Sequence, residues 1–190
     1  MKVGQFRSIG TKFKGNTEIT AFNELAERFT SISGLQQEAF QGCSNLEKIT
    51  IPSQITRIVD HQFRYCTSLA SVTLPPALTS IGQWAFGTAQ LTNIELPSTL
   101  TNIGHYAFSG NKFVTLDLPA SITNIGQSAF QSNSLLTTVT IHATTPPTNS
   151  GYFFNSCSAL QAIYVPASSV EAYKSASGWS AYASKIQAIP

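Results

Sequence analysis

The chain has 190 residues, of which only 11% are charged, and its formal net charge is +2. This length is enough for a hydrophobic core in one domain or two small ones. A nucleic-acid groove would need clustered lysine and arginine, and a membrane span would need roughly 20 consecutive apolar residues. The sequence has neither, so we expect no nucleic-acid partner and no membrane insertion in this segment.

Residues 1–39 are predicted to form a degenerate first repeat and an N-terminal cap. Phe13 has the same sequence context as the later repeats, and residues 21–29 (AFNELAERF) indicate a short helix with Asn23 as a possible N-cap. Residues 1–10 lack the apolar core of a signal peptide, so either the chain is intracellular or its leader was removed. The start inside a degenerate coil favours excision from a longer protein.

A single motif repeats through residues 40–166. Periods of about 20 to 50 residues are typical of solenoids, in which each repeat forms one coil and buries its apolar edge against the next coil. One copy of the apolar frame consists of Leu91, Ile94, Leu96, Pro97, Leu100, Ile103 and Phe108. The anchor of the frame is a phenylalanine at intervals of 22 to 24 residues, at Phe40, Phe63, Phe86, Phe108, Phe130 and Phe154.

The spacing within one copy predicts the path of a coil. Ile94 and Leu96 are two residues apart and face the same way in an extended strand. Leu91 and Ile94 are three apart, so both face inward only if the chain turns a corner between them. The sequence therefore predicts a β-rich, right-handed superhelix of short parallel strands with short helical turns, capped by short helices.

Prolines and glycines are predicted to end the two straight segments of each coil. Proline lacks the N–H that a continued ladder needs, so we expect the first strand to end near Pro52, Pro75, Pro97 and Pro119. Glycine tolerates a tight or positive-φ turn, and it follows the second segment at Gly82, Gly104 and Gly126.

The C-terminal residues 167–190 are predicted to form a helical cap. Ser168 and Glu171 have the spacing of a capping box before a helix over residues 170–176, and Gly178 would stop that helix. The frame slips at residues 142–151 (HATTPPTNSG), which we expect to protrude as a loop. An apolar face to cover the last coil would come from Trp179, Tyr182, Ile186 and Ile189.

The repeated frame, L-x-x-I-x-(I/L)-P-x-x-(I/L)-T-x-I-G-x-x-A-F-x-x-(C/N), resembles the BspA-type leucine-rich repeat of bacterial surface proteins over nearly the whole chain. The resemblance implies a leucine-rich-repeat solenoid that is secreted or lies on the cell surface, binds other macromolecules, and has no catalytic residues. The chain departs from the general leucine-rich pattern, since its Asn/Cys column follows each phenylalanine by three residues. The corresponding positions after the strand hold Gln54, Ala77, Thr99 and Ser121.

The cysteines and histidines are not predicted to form a catalytic or metal-binding site. Cys43, Cys66 and Cys157 share one repeat position with Asn111 and Asn133, so we expect them to be reduced and structural, satisfying backbone groups at a corner of the coil. The histidines fall in different registers and should not converge on a metal. We therefore predict no metal site and no cofactor. These histidines are His61, His105 and His142.

Outward positions of the first strand are the candidate binding surface. Stacked coils would align them as a low-charge stripe rich in hydroxyl groups, in which Glu95 and Asp117 are like-charged neighbours that solvent or a cation such as Ca²⁺ must separate. Tyr164 is the strongest candidate for a recognition hot spot, and Tyr152 with Phe153 forms an alternative patch. The candidate ligand-binding residues are Thr73, Asn93, Glu95, Thr115, Asp117, Thr140 and Tyr164.

Three functions are consistent with this pattern. The favoured one is a non-enzymatic binding or adhesion module that recognises a host or bacterial surface protein or a glycan through the solenoid face. The main alternative is a structural spacer of a larger surface protein, with no ligand of its own. A glycan-processing enzyme could use the Glu95 and Asp117 carboxylates, but the sequence identifies no general acid with a raised pKa in a cleft.

Overall fold

The computed structural model describes residues 14–15, 37–149 and 151–190, and within these ranges the chain forms a solenoid of stacked coils. Each coil runs through a front segment, a side segment and a turn that carries the phenylalanine. Every strand pair in the described residues is parallel, in the front segments and in the side segments alike, as the sequence predicts. Phe13 and the predicted helix over residues 21–29, with Asn23, lie outside the described residues.

The strands form one continuous side sheet and two separate front sheets. In chain order they are β1 (Lys48–Thr50), β2 (Arg57–Ile58), β3 (Ser71–Thr73), β4 (Ser80–Ile81), β5 (Asn102–Ile103), β6 (Thr115–Leu118), β7 (Asn124–Ile125), β8 (Thr138–Ile141), β9 (Thr148–Asn149), β10 (Ala162–Val165) and β11 (Ile186–Ala188). The side sheet has the order β2-β4-β5-β7-β9, and the front sheets are β1-β3 and β6-β8-β10-β11. β1, β3 and β6 all end within two residues of a proline, as predicted.

Stacked phenylalanine rings form the spine of the core. Successive ring centroids lie 5.2 to 5.6 Å apart, and the ring planes differ by 4° to 23°. No ring is more than 3% exposed. Paired aromatic rings contribute about 0.5–1.5 kcal/mol beyond the area that they bury, so the column joins each coil to the next. It consists of the six predicted anchors, Phe40, Phe63, Phe86, Phe108, Phe130 and Phe154.

The glycine column allows close approach of backbones and not the positive φ that we predicted as one option. Positive φ falls instead on residues that flank the phenylalanine, such as Trp84 (φ 55°) and Thr88 (φ 59°) on either side of Phe86. A Cβ on Gly104 would lie 2.7 Å from the carbonyl carbon of Gly82 in the preceding coil. Glycine is therefore needed there because two coils meet backbone to backbone.

The C-terminal segment combines helical turns with a strand. A 3₁₀ turn at Ala167–Ser169 precedes α1 (Val170–Ser175), which confirms the helix predicted over 170–176 to within one residue, and a second 3₁₀ helix (Ser180–Lys185) leads into β11. The predicted capping box is wrong: the N-cap is Ser169, whose hydroxyl donates to the Thr144 carbonyl at 2.7 Å. None of the helices in the described ranges has the length and apolar character to cross a membrane.

The described residues of the predicted loop over 142–151 do not protrude, because the C-terminal segment holds them. Thr148–Asn149 pairs with β7 and extends the side sheet. The Trp179 indole N–H donates to the Pro147 carbonyl at 2.9 Å, and the Tyr173 hydroxyl donates to the Ala143 carbonyl at 2.8 Å. Both aromatic side chains are fully buried, so each needs a hydrogen-bond acceptor, and this segment supplies it.

Candidate functional site

The outward side chains of the front strands form what we call the front face. Parallel pairing places Thr115 beside Thr138, and Asp117 beside Thr140, which in turn lies beside Tyr164. Thr115 and Asp117 are exposed, whereas Thr140 and Tyr164 are half-buried. In the first front sheet, Thr73 is exposed beside Thr50. The predicted alignment is therefore present within each of the two front sheets.

The front face is not continuous, because residues 93–96 lie outside both front sheets. Among the described residues, no backbone group of this segment bonds to another backbone group. The coils are in contact just before it, where the Gln90 N–H donates to the Leu69 carbonyl at 3.1 Å, and just after it, where the Thr99 hydroxyl donates to the Pro76 carbonyl at 2.8 Å. The ladder position predicted for Asn93 and Glu95 is wrong, and the interruption is local.

Residue type disfavours pairing on both sides of residues 93–96, and charge disfavours it on the side of Asp117. A continued ladder would place Glu95 directly beside Asp117, and like charges in facing positions destabilise a sheet. Asn and Glu also have low strand propensity compared with the threonines of the neighbouring coils. Asp117 instead accepts a hydrogen bond at 2.7 Å from Nε2 of His142, on the coil that follows. Asp117 thereby has a partner of its own, whereas Glu95 forms no ion pair with a described residue.

A cleft of about 620 Å³ opens at the interruption. It lies between the front segment of residues 71–74 and residues 93–97. Apolar side chains that are buried in the other coils, such as Ile49 and Leu116, have counterparts here that are only half-buried. These counterparts are Val72, Leu74, Ile94 and Leu96. The apolar spacing of this coil matches that of its neighbours, so nothing in the repeat pattern indicates the cleft.

The Asn/Cys column satisfies backbone carbonyls at a corner of the coil, as predicted. Cys66 and Cys157 donate through Sγ to the carbonyls of Phe40 and Phe130, at 3.1 and 3.2 Å. Asn111 donates to the carbonyls of Phe86 and Phe108, at 2.9 and 3.0 Å. All three cysteines are buried and free of disulfides. These groups have a structural role.

Burial also makes the thiols poor nucleophiles. It raises the pKa of the Cys66 thiol to about 12 and that of Cys157 to about 11. Because the thiolate is the reactive form, we expect Ellman's reagent to label the folded protein slowly at pH 8, and all three cysteines of the chain promptly in denaturant. Prompt labelling without denaturant would contradict the burial. Since these pKa values exceed the ordinary thiol value, stability should fall as pH rises above 9.

The three histidines lie in three different surroundings. His61 Nδ1 lies 3.4 Å from the Arg64 guanidinium, and His105 Nδ1 accepts the Gln127 N–H at 2.9 Å. His142 pairs with Asp117, as described above. In the described part of the chain, no three His, Cys, Asp or Glu side chains are grouped to hold a metal ion.

A second groove, of about 550 Å³, runs along the side sheet and was not predicted. Its polar groups bond mainly to one another: Asn124 Nδ2 donates to Asn102 Oδ1 at 2.6 Å, and Arg57 Nε donates to the Ser80 hydroxyl at 3.2 Å. These bonds link successive coils. The repeated Thr-Asn-Ile-Gly at residues 101–104 and 123–126 is the sequence signal that could have indicated this polar ladder.

The alternative aromatic patch is only half present. Tyr152 is 66% exposed, but Phe153 is fully buried against Trp179, with ring centroids 4.4 Å apart. Phe153 belongs to the core because the C-terminal segment covers it. The predicted patch is therefore wrong for Phe153, and Tyr152 alone remains at the surface.

Comparison with solved structures supports the fold. A leucine-rich repeat protein from Bacteroides ovatus is 28% identical with a TM-score of 0.61, over 72% of this chain and 36% of that one. A leucine-rich repeat protein from T. pallidum is 29% identical with a TM-score of 0.60, over 72% of this chain and 69% of that one. The pneumococcal vaccine antigen PcpA shares the fold at 24% identity and a TM-score of 0.59, over 68% of this chain and 33% of that one.

The chain spans about a third of the length of the Bacteroides and pneumococcal proteins. A search of curated proteins found no significant match. The model of the BspA type leucine rich repeat region matches in six copies, over residues 5–112 and 57–178. Together with the observed coils, this match places nearly the whole chain in one family. The chain belongs to the BspA-type leucine-rich repeat family.

Proposed function

We propose that the chain is a non-enzymatic binding or adhesion module of a cell-surface or secreted bacterial protein, and that it recognises a protein or glycan through the front face. The observation that carries this proposal is the alignment of Asp117, Thr140 and Tyr164 by parallel strand pairing. Side chains held by a rigid ladder lose little conformational freedom on binding, so a partner meets a surface that is already ordered. Membership of the family supports the same function and location.

The non-enzymatic part of the proposal rests on the placement of the reactive groups. The thiols are buried and donate to backbone carbonyls, and the histidines lie apart. A glycan-processing enzyme would need Glu95 and Asp117 as a pair, but both side chains are exposed and Asp117 is engaged with His142. These placements favour recognition over catalysis.

An array of extracellular-matrix proteins and glycans tests the proposal. We expect Tyr164→Ala to weaken capture of the array ligand about tenfold or more, the loss typical of a hot-spot aromatic. Glu171→Ala on α1 is a suitable control, because its side chain is 86% exposed and lies outside the front face. Its capture should match that of the unchanged protein, and both variants should keep its melting temperature to within about 2 °C.

Two results would contradict the proposal. If no array component is captured, the chain acts as a spacer within a larger surface protein. If the chain cleaves a polysaccharide and Glu95→Gln abolishes that cleavage, the module is an enzyme.

A further inference from the structure

We propose that the cleft between β3 and residues 93–96 binds an extended segment of a partner protein, which adds a strand along the free edge of β3. This inference rests on the proposed binding function and specifies its site and partner class. The partner segment would have apolar residues at alternate positions and a lysine or arginine between them. Each of these features follows from a separate property of the cleft.

The free backbone groups at the edge of β3 match those of an added polypeptide strand. The Ser71 N–H donates to the Glu47 carbonyl at 3.3 Å, and the Thr73 carbonyl accepts the Ile51 N–H at 2.9 Å, so both residues direct their backbone groups toward the preceding coil. Alternation along a strand directs the N–H and C=O of Val72 the opposite way, into the cleft. A strand supplies the matching donor and acceptor at ladder spacing, which a glycan does not.

The interior of the cleft favours apolar side chains at alternate positions of the partner segment. Val72, Leu74, Ile94 and Leu96 face the core but remain half-buried. In the adjoining coils the equivalent residues are at most 4% exposed. An added strand would direct every second side chain inward between the two apolar pairs and restore this burial. The inward residues of the partner are therefore apolar.

The charge at the rim of the cleft favours a lysine or arginine in the partner segment. Glu95 is exposed on the outward side, and its carboxylate makes no ion pair with any residue that the structure describes. The outward side chain of an added strand would lie beside it. A lysine or arginine at this position pairs with Glu95 and lies near Asp117, whereas an acidic residue would be repelled by both.

The rest of the coil fixes the position and the length of the cleft. On the far side of the solenoid, β4, β5 and β7 pair without interruption, and the Phe86 and Phe108 rings stack at 5.4 Å. The opening spans the four residues 71–74, which corresponds to about 13 Å of extended chain. A short linear segment fits this length.

Three capped, fluorescein-labelled peptides test the proposal by fluorescence anisotropy. The first has the sequence Thr-Val-Lys-Val-Thr, the second is the same peptide N-methylated at all five residues, and the third has glutamate in place of lysine. We expect the first to bind and each of the others to bind at least tenfold more weakly. In the Glu95→Lys variant, the preference between the lysine and glutamate peptides should reverse.

A closed-cleft variant provides the second test. Asn93→Thr combined with Glu95→Thr raises the strand propensity of residues 93–96, so this segment should pair with β3 and exclude the peptide. We expect at least a tenfold loss of peptide binding without loss of stability. Glu171→Thr is the matched control and should bind normally. Hydrogen exchange of the Val72 amide should slow when the lysine peptide binds to the unchanged protein.

Several outcomes would overturn this inference. They are equal binding of the N-methylated peptide, unchanged binding by the closed-cleft variant, or no binding of any peptide up to about 1 mM. A concentration-dependent dimer that the closed-cleft variant abolishes would assign the cleft to a second copy of this chain. If an array ligand is captured equally well by the closed-cleft variant, the inference fails while the proposed function stands; if nothing is captured on the array, the proposed function fails.

Discussion

Replacing Phe86 with alanine is expected to lower the free energy of unfolding by about 3–5 kcal/mol, the cost of truncating a buried aromatic side chain. Phe86 lies in the middle of the phenylalanine column and is fully buried. Its ring stacks on Phe63 at 5.2 Å and on Phe108 at 5.4 Å, so the substitution leaves a cavity and removes two ring contacts. Urea denaturation followed by circular dichroism measures the change.

A matched control separates the column from aromatic stacking in general. Tyr106 stacks on Trp84 with ring centroids 4.5 Å apart, but it is only half-buried. Tyr106→Ala should therefore cost less than half as much as Phe86→Ala. If Phe86→Ala costs less than about 1 kcal/mol, the column does not carry the stability of the stack.

Features repeated in every coil were predictable from the sequence. The phenylalanine column and the parallel register of Asp117, Thr140 and Tyr164 follow from one spacing rule, because each coil must bury its apolar edge against a neighbour with the same spacing. The same reasoning placed the cysteines and asparagines at a buried corner. Repetition allows one correct alignment to position many residues.

Features that depend on a single pair of coils were not predictable in this way. The interruption at residues 93–96 depends on the Asn and Glu of this coil and, on the β6 side, on Glu95 meeting Asp117, and the apolar frame of the coil gives no sign of it. The like charges are visible in the sequence, and solvent or a bridging cation are the two ways of separating them that it indicates. A third possibility is the one observed, in which the backbone leaves the ladder and a cleft opens.

The contacts of the C-terminal segment could not be predicted for a different reason. The hydrogen bonds from Trp179 to Pro147 and from Tyr173 to Ala143 join residues 32 and 30 positions apart. These separations do not fit the repeat period, so the repeat could not indicate them. The slip of the frame at residues 142–151 suggested a protruding loop, whereas the buried aromatic donors need acceptors there and hold the segment against the solenoid.

Replacing Asn111 with alanine is expected to lower the free energy of unfolding by about 2–4 kcal/mol, because several buried backbone groups lose a partner. Its amide nitrogen donates to the carbonyls of Phe86 and Phe108, and its Oδ1 accepts the Leu91 N–H at 3.1 Å. Each buried group left unsatisfied costs about 1–3 kcal/mol. Urea denaturation measures the loss, and a cost below about 1 kcal/mol would show that water replaces the amide.

Cysteine at the same position separates the donor role of Asn111 from its acceptor role. A thiol at this corner can donate to a carbonyl, as Cys157 does, but it is a weak acceptor for the Leu91 N–H. Asn133 offers the matched control, because its amide donates to Phe108 and Phe130 while its Oδ1 has no partner among the described residues. Asn111→Cys should therefore cost about 1–3 kcal/mol more than Asn133→Cys. Equal costs would mean that the hydrogen bond from the Leu91 N–H adds nothing to the free energy of unfolding. The Asn/Cys column would then stabilise the stacked coils only through its hydrogen bonds to backbone carbonyls.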